Sequence, residues 1–126
     1  MNNPNERIVR LPEPIRKHVA PNDPYWCELP AGWFDLVCEM NEKLEAINPD
    51  YILDQCKEKF GGLRYYTTDN NGPSVDVVLF DKVVSDYEDL SYKVCEVCGS
   101  EGRPTVRRGW MSTRCNDYIG EGVAYD

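Results

Sequence analysis

The strongest hydrophobic periodicity in the chain runs from Gly32 to Ile47. Apolar residues recur every three or four positions there, at Phe34, Val37, Cys38, Leu44 and Ile47. Glutamates fill most of the opposite side. This spacing predicts an amphipathic helix. We expect it to end at Asn48-Pro49, because proline cannot continue a helix and disfavours helical geometry in the residue before it.

Two short segments rich in Tyr, Ile, Leu and Thr follow, over residues 51–56 and 63–67. Such residues are favoured in strands. The polar stretch between them, 57–62, ends in two glycines, which suit a tight turn. The pattern predicts a β-hairpin anchored by Phe60, Leu63 and Tyr65.

A second apolar stripe begins after Pro73, a residue that the first turn of a helix tolerates. Its members are Val75, Val78, Leu79, Val83 and Leu90. This spacing predicts a second helix that leads to Cys95.

Prolines are concentrated at the start of the chain, with six of the nine in residues 1–30. We therefore expect an extended arm over 1–30, partly docked through its apolar residues, before a single domain over 31–126 that includes a cysteine knuckle at 95–118. The order of elements predicts an α+β fold. In this fold two helices lie on a small antiparallel sheet, with a zinc-ribbon-like knuckle at the C-terminal end.

The composition is acidic: 14 Lys and Arg face 22 Asp and Glu among 126 residues, a net charge of -8. This charge opposes direct binding to nucleic acid or anionic membranes and favours a protein partner with a basic or amphiphilic surface. No uncharged apolar run of about 18 residues occurs, and the polar start resembles no secretory signal. We expect a cytoplasmic protein with reduced cysteines and no membrane span.

The segment Cys95-Glu96-Val97-Cys98-Gly99 has the form of a metal knuckle, and Cys115 follows after a stretch long enough for a short hairpin. Two thiolates two residues apart with a following glycine are typical of structural zinc sites, so zinc is the expected cofactor. The nearest fourth ligand is Asp117. Other candidates, which need a tertiary contact, are Cys27, Cys38, Cys56 and His18. Two alternatives stay open: buried cysteines without metal, and a redox-active pair.

In three segments the chain resembles a group of small bacterial and phage-encoded proteins without an assigned activity. The segments are Gly32-Trp33-Phe34-Asp35-Leu36, the segment 57–66 (KEKFGGLRYY), and the knuckle with Gly109-Trp110, Thr113 and Cys115. The resemblance covers about residues 30–118. It implies a zinc ribbon of the form C-x-x-C…C-x-x-H, from which this chain departs because Tyr118 stands at the histidine position.

Carboxylates recur on the exposed sides of both predicted helices. The candidate partner-binding residues are Glu39, Glu42, Glu45, Asp81, Asp86, Glu88 and Asp89. Since the only histidine, His18, lies in the arm, we expect no enzyme. We expect a small protein-binding module, encoded by a phage or mobile element.

Two other functions remain open. Ordered carboxylates can imitate nucleic-acid phosphates, as in anti-CRISPR-type inhibitors of host defence complexes that occupy a basic groove. Alternatively, a zinc ribbon binds nucleic acid through its arginines and a stacking Trp110 or Tyr118. The arginines concerned are Arg103, Arg107, Arg108 and Arg114. Neighbouring acidic residues nearly cancel their charge, which makes direct binding the weaker alternative.

Overall fold

The computed structural model describes residues 11–20, 27–68 and 75–119, together with the backbone of residues 123 and 124. The elements are α1 (Glu13–Arg16), a 3-10 turn (Ala31–Trp33), α2 (Phe34–Ile47), β1 (Leu53–Lys59), β2 (Gly62–Thr67), α3 (Val77–Ser91), β3 (Arg103–Arg107), β4 (Trp110–Arg114) and β5 (Val123–Ala124). The predicted α+β fold is confirmed. Part of the proline-rich arm and Pro73 lie outside the described residues.

Helix α2 confirms the first predicted helix, which ends before Pro49. Its buried face carries Leu36, Val37, Met40 and Leu44. Cys38, which the sequence pattern placed in the apolar stripe, is only half-buried. Compared with the predicted stripe, the face of α2 that meets the core therefore includes Leu36 and Met40. The side of the helix that carries Cys38 lies at the edge of the core.

The predicted hairpin is present, but its strands are longer and its turn is shorter. Residues 57–59, expected in the turn, belong to β1 and pair with β2 from Lys57↔Arg64 to Lys59↔Gly62. The turn consists of Phe60 and Gly61, both at positive φ. Leu63 and Tyr65 anchor the hairpin as expected, whereas Phe60 is 62% exposed and does not.

Helix α3 begins at Val77, where the side chain of Asp76 accepts a hydrogen bond from the Leu79 amide. Its predicted apolar stripe is wrong in part, because Val78 is 81% exposed and Leu79 and Leu90 are also exposed. The buried residues of α3 are instead Phe80, Tyr87 and Ser91. Phe80 and Tyr87 thus provide most of the buried face, and Val83 of the predicted stripe packs against the core beside them.

The strands form two antiparallel sheets rather than one. The first is the β1–β2 hairpin, and the second has the order β4-β3-β5 and belongs to the knuckle. Helix α3 packs against β2, and α2 packs against α3. No helix in the described part of the chain is both long and apolar enough to span a membrane.

The described part of the arm contributes to the core. Leu11, Ile15 and Cys27 are fully or almost fully buried. The arm also pairs with β1 through two isolated parallel bridges, Val19↔Leu53 and Cys27↔Cys56. The arm is therefore docked along an edge of the first sheet in its described segments.

A buried polar network fastens the arm to the body. His18 stacks on Tyr51, with ring centroids 3.8 Å apart. Its Nδ1 lies 2.8 Å from the Tyr51 carbonyl oxygen and its Nε2 lies 2.6 Å from a Glu45 carboxylate oxygen. A carbonyl oxygen can only accept, so the first contact places a proton on Nδ1. The two contacts join His18 of the arm to Tyr51 and to Glu45 of α2.

The network continues into the core through the Tyr51 hydroxyl. That hydroxyl donates to Asn41 Oδ1 at 2.6 Å and lies 2.7 Å from the Tyr65 hydroxyl. Burial raises the pKa of both tyrosines, so they are neutral at any ordinary pH. Helix α2, the arm and both strands of the hairpin are joined at this point.

We predict that ionised Glu45 stabilises the fold. Hydrogen bonds, first from His18 and then from Lys17, lower the pKa of Glu45 below its usual 4.5. The stabilisation is therefore complete above that usual value and is lost as the pH falls through the lower folded-state pKa. Because the carboxylate is partly exposed, Glu45→Gln should cost about 1 kcal/mol at neutral pH.

Thermal unfolding of Glu45→Gln at several pH values measures this effect. The difference from wild type should shrink as the pH falls below 4.5, and Glu39→Gln, which removes an exposed carboxylate from the same helix, should show little difference at neutral pH. A cost of Glu45→Gln that stayed constant at acidic pH would contradict a stabilising role of the ionised carboxylate.

Candidate metal centre and adjoining groove

Two turns of similar construction bring the three knuckle cysteines together. In the first, which follows α3, the Gly99 amide donates to the Cys95 carbonyl at 2.9 Å. In the second, which follows β4, the Tyr118 amide donates to the Cys115 carbonyl at 3.1 Å. Gly99 adopts a φ of 82°, which glycine reaches without the strain of a side chain. The β3–β4 hairpin between the turns is the one that the sequence predicts.

The ligand atoms of Cys95, Cys98 and Cys115 all lie within 4.8 Å of one another. The sulfurs of Cys98 and Cys115 are 3.6 Å apart. Thiolates bound to one tetrahedral zinc at about 2.3 Å would be separated by about 3.8 Å. The donor set and its spacing therefore fit a thiophilic metal ion such as zinc.

The cluster offers thiols of different acidity. Hydrogen bonds from the Ser100 hydroxyl and amide, followed by contacts with Cys115 and Cys95, lower the pKa of exposed Cys98 to about 7. Burial is the main reason that the pKa of Cys115 is raised. Since metals bind the thiolate, Cys98 loses its proton for metal binding more easily than Cys115 near neutral pH.

The residues that the sequence suggested as a fourth ligand lie outside the cluster of ligand atoms formed by the three cysteines. Asp117 is exposed and does not join the three cysteines in the cluster of ligand atoms. Its amide instead donates to the Cys115 sulfur. Cys27 and Cys56 lie in the contact between arm and β1, and His18 pairs with Glu45. Among the described residues, three thiols make up the cluster.

The redox alternative receives no support from the placement of the cysteine pair. All six cysteines are free thiols. Cys95 and Cys98 lie in a turn that follows α3, whereas catalytic pairs draw their acidity from the first turn of a helix. Three clustered thiols are better suited to binding a metal ion.

The start of α2 is docked directly on the knuckle. The Gly32 amide donates to the Glu96 carbonyl at 2.9 Å, and the indole of buried Trp33 donates to the Val94 carbonyl at 2.9 Å. A Cβ at Gly32 would lie 2.2 Å from the Cys95 carbonyl oxygen. Only glycine allows this approach, which explains the Gly-Trp pair at this position.

The acidic residues predicted to bind a partner divide into two sets. Glu45 pairs with His18 and Lys17, Glu88 accepts the Tyr65 amide at 2.9 Å, and Asp86 pairs with Lys82 at 2.8 Å. These three stabilise the fold or its surface. The residues that remain exposed for a partner are Glu39, Glu42, Asp81 and Asp89.

A groove of about 690 Å³ runs between α2, the end of α3 and the knuckle. We call it the acidic groove. Its lining includes Asp35, Glu39, Glu42, Leu90, Val94 and Cys98. The sequence analysis missed Asp35, although its position four and seven residues before the other carboxylates places all three on one side of α2. It also missed Ser100, two residues beyond Cys98.

Exposed aromatic residues mark the tips of the two hairpins. Trp110 is 71% exposed beside exposed Arg107 and Arg108, and Phe60 is exposed at the β1–β2 turn. The two hairpins touch where the Thr113 hydroxyl donates to the Gly61 carbonyl at 2.6 Å. None of these exposed aromatic and basic residues lines the acidic groove.

Comparison of the chain with family models, curated proteins and solved structures finds no match.

We predict that the knuckle binds about one zinc ion per chain. Cys98→Ser and Cys115→Ser should each reduce the zinc content to below about 0.2 per chain and lower the melting temperature, because the folded knuckle depends on the metal. Elemental analysis of dialysed protein measures the content. Cys38→Ser changes a cysteine outside the cluster and should keep the metal. Equal zinc in all three variants would contradict the assignment.

Proposed function

We propose that this chain is a small acidic, non-enzymatic module that binds a protein partner, with a zinc knuckle that stabilises its binding surface. The observation that carries the proposal is the docking of α2 on the knuckle through Gly32 and Trp33. This contact holds the carboxylate-bearing side of α2 beside the metal centre. A rigid surface loses less conformational freedom on binding than a flexible one.

The charge of the exposed surface supports a basic partner. Glu39 and Glu42 on α2, and Asp81 and Asp89 on α3, are exposed to solvent. Basic partner surfaces are attracted to such carboxylates and are steered toward them at low ionic strength. A nucleic-acid-binding complex has such a surface, so inhibition of a host defence complex through nucleic-acid mimicry is one form of this function.

The non-enzymatic part of the proposal is supported by the position of His18. Its ring is buried and engaged with Tyr51 and Glu45. No serine, threonine or cysteine is among the described residues that line the pocket beside it. In the described part of the chain, its ring nitrogens contact the Tyr51 carbonyl and the Glu45 carboxylate rather than a serine, threonine or cysteine side chain.

We propose that the protein acts in the cytoplasm, because six free thiols stay reduced there. The resemblance to small phage-encoded proteins supports an origin in a phage or mobile element.

A second candidate function is favoured by Trp110. Exposed aromatic side chains beside arginines are typical of surfaces on which single-stranded nucleic-acid bases stack. Trp110 lies on β4 opposite Arg107, and no acidic residue interrupts residues 102–116. Against it stands the net charge of -8, which weakens attraction to phosphates.

The proposal predicts that neutralising the helix carboxylates disrupts partner binding. Tagged full-length protein is used to isolate a partner from the cells in which it acts, and the partner is then purified for binding measurements. Glu39→Gln/Glu42→Gln/Asp81→Asn should weaken binding at least about tenfold, as expected for the loss of several interfacial charges. The control Glu13→Gln/Glu101→Gln/Asp117→Asn removes the same charge from exposed positions elsewhere and should bind within about twofold of wild type.

Two results would contradict the proposal. One is equal loss of binding in the test and control variants, which would indicate an unspecific effect of net charge. The other is retention of single-stranded DNA by the protein alone, abolished by Trp110→Ala, in the absence of any protein partner. That result would establish the nucleic-acid-binding alternative.

A further inference from the structure

The acidic groove carries a fixed pattern of negative charge. Asp35, Glu39 and Glu42 are exposed along one side of α2. At 1.5 Å per residue, their positions are separated along the helix axis by about 6 Å and then by about 4.5 Å. No lysine or arginine is among the described residues that line the groove. Lys43, outside the lining, is attracted to Glu39. An occupant of the groove therefore meets a wall whose charged lining residues are all carboxylates.

The opposite side of the groove is largely apolar. Leu90, at the end of α3, is 40% exposed, and Val94 follows it before the knuckle. Leu36 lies beneath, buried to 7% exposure. Carboxylates on one wall and apolar side chains on the other favour an amphipathic occupant, since its apolar face loses contact with water on binding.

The third side of the groove is the metal knuckle itself. Cys98 and Gly99 line it together with Ala31 and Gly32. The two chain segments are in close contact, because a Cβ at Gly99 would lie 3.0 Å from the Gly32 carbonyl oxygen. The shape of the groove consequently depends on the same turn that gathers the thiols.

The size of the groove fits a piece of a protein chain. Its volume of about 690 Å³ is in the range of sites that enclose several side chains or a small ligand. A small inorganic cation would contact the carboxylates but leave the apolar wall uncovered. A nucleic acid would bring phosphates against three carboxylates, which repel them.

We infer that the acidic groove is the docking site for a basic amphipathic helix of the protein partner. The helix presents arginine or lysine at positions i, i+4 and i+7 to the α2 carboxylates and apolar side chains to Leu90 and Val94. This inference rests on the proposed function and deepens it by naming the surface and the chemistry of the partner. Asp81 and Asp89, which are absent from the groove lining, have no part in it.

The test uses the full-length zinc-loaded protein and a synthetic helical peptide. The peptide carries arginine at i, i+4 and i+7 and leucine on the adjoining face, and a control peptide contains the same residues in scrambled order. NMR titration should place the shifted amides at residues 31–42, 90–94 and 98–99. Calorimetry should give an affinity at least about tenfold higher for the patterned peptide, which falls as salt rises from about 0.05 M to about 0.3 M.

Matched variants separate the groove from overall charge. Glu39→Gln/Glu42→Gln should weaken peptide binding at least about tenfold, whereas Asp81→Asn/Asp89→Asn removes the same charge and should change it less than about twofold. Both pairs are exposed, and circular dichroism verifies that each variant is folded. The partner isolated as described above is measured with the same two variants.

Three outcomes would overturn the inference. They are shifted amides that map outside the groove, equal affinity for the scrambled peptide, and self-association of the free protein in sedimentation that Glu39→Gln/Glu42→Gln abolishes. The last would assign the groove to a second copy of this chain. If the isolated partner binds but is equally sensitive to both variants, the groove assignment fails while the proposed function stands; if no partner exists, the proposed function fails.

Discussion

The contact between the start of α2 and the knuckle is the constraint on which the candidate site depends. Gly32 approaches Cys95 and Glu96 so closely that no Cβ fits, and Trp33 bonds to the Val94 carbonyl from a fully buried position. These interactions join helix α2 to the knuckle turn that carries Cys95 and Cys98. Through them, folding of the knuckle determines where the carboxylates of α2 stand.

A second anchor fixes the other end of α2. The network consists of buried His18, Tyr51, Asn41 and Tyr65 and of partly exposed Glu45. Every described buried side-chain nitrogen or oxygen has a hydrogen-bond partner. Fully satisfied polar networks of this kind are rigid and specify one arrangement of the elements that contribute to them. Helix α2 is thus held by the cysteine knuckle at its start and by the arm near its end, which leaves its exposed side as a fixed surface.

The sequence was sufficient to predict the class of fold and the three cysteines that cluster in the knuckle. Helix α2, the hairpin with Leu63 and Tyr65, and the three thiols follow from local patterns that act over a few residues. The exposure of Phe60 and Val78 did not, because apolar type alone does not say which side of a turn or helix meets the core. On α3 the aromatic residues Phe80 and Tyr87 are buried against the core instead.

The assignment of acidic residues shows the same limit. Exposed glutamates on a helix look alike in sequence, yet Glu45 and Glu88 contact His18 and the Tyr65 amide across long chain separations. Asp117 likewise looked suitable as a ligand from its position alone, while its amide rather than its carboxylate faces Cys115. Tertiary contacts decide which carboxylates remain for a partner. Spacing within α2 could have identified Asp35 as a companion of Glu39 and Glu42.

The central claim is that the metal knuckle organises the start of α2. Amide hydrogen exchange, followed by mass spectrometry with and without a zinc chelator, tests it most directly, because exchange reports local opening segment by segment. The account predicts that chelation removes protection from residues 93–102 and also from 31–37, while the β1–β2 hairpin keeps its protection. Unchanged protection at 31–37 after loss of the metal would contradict the account.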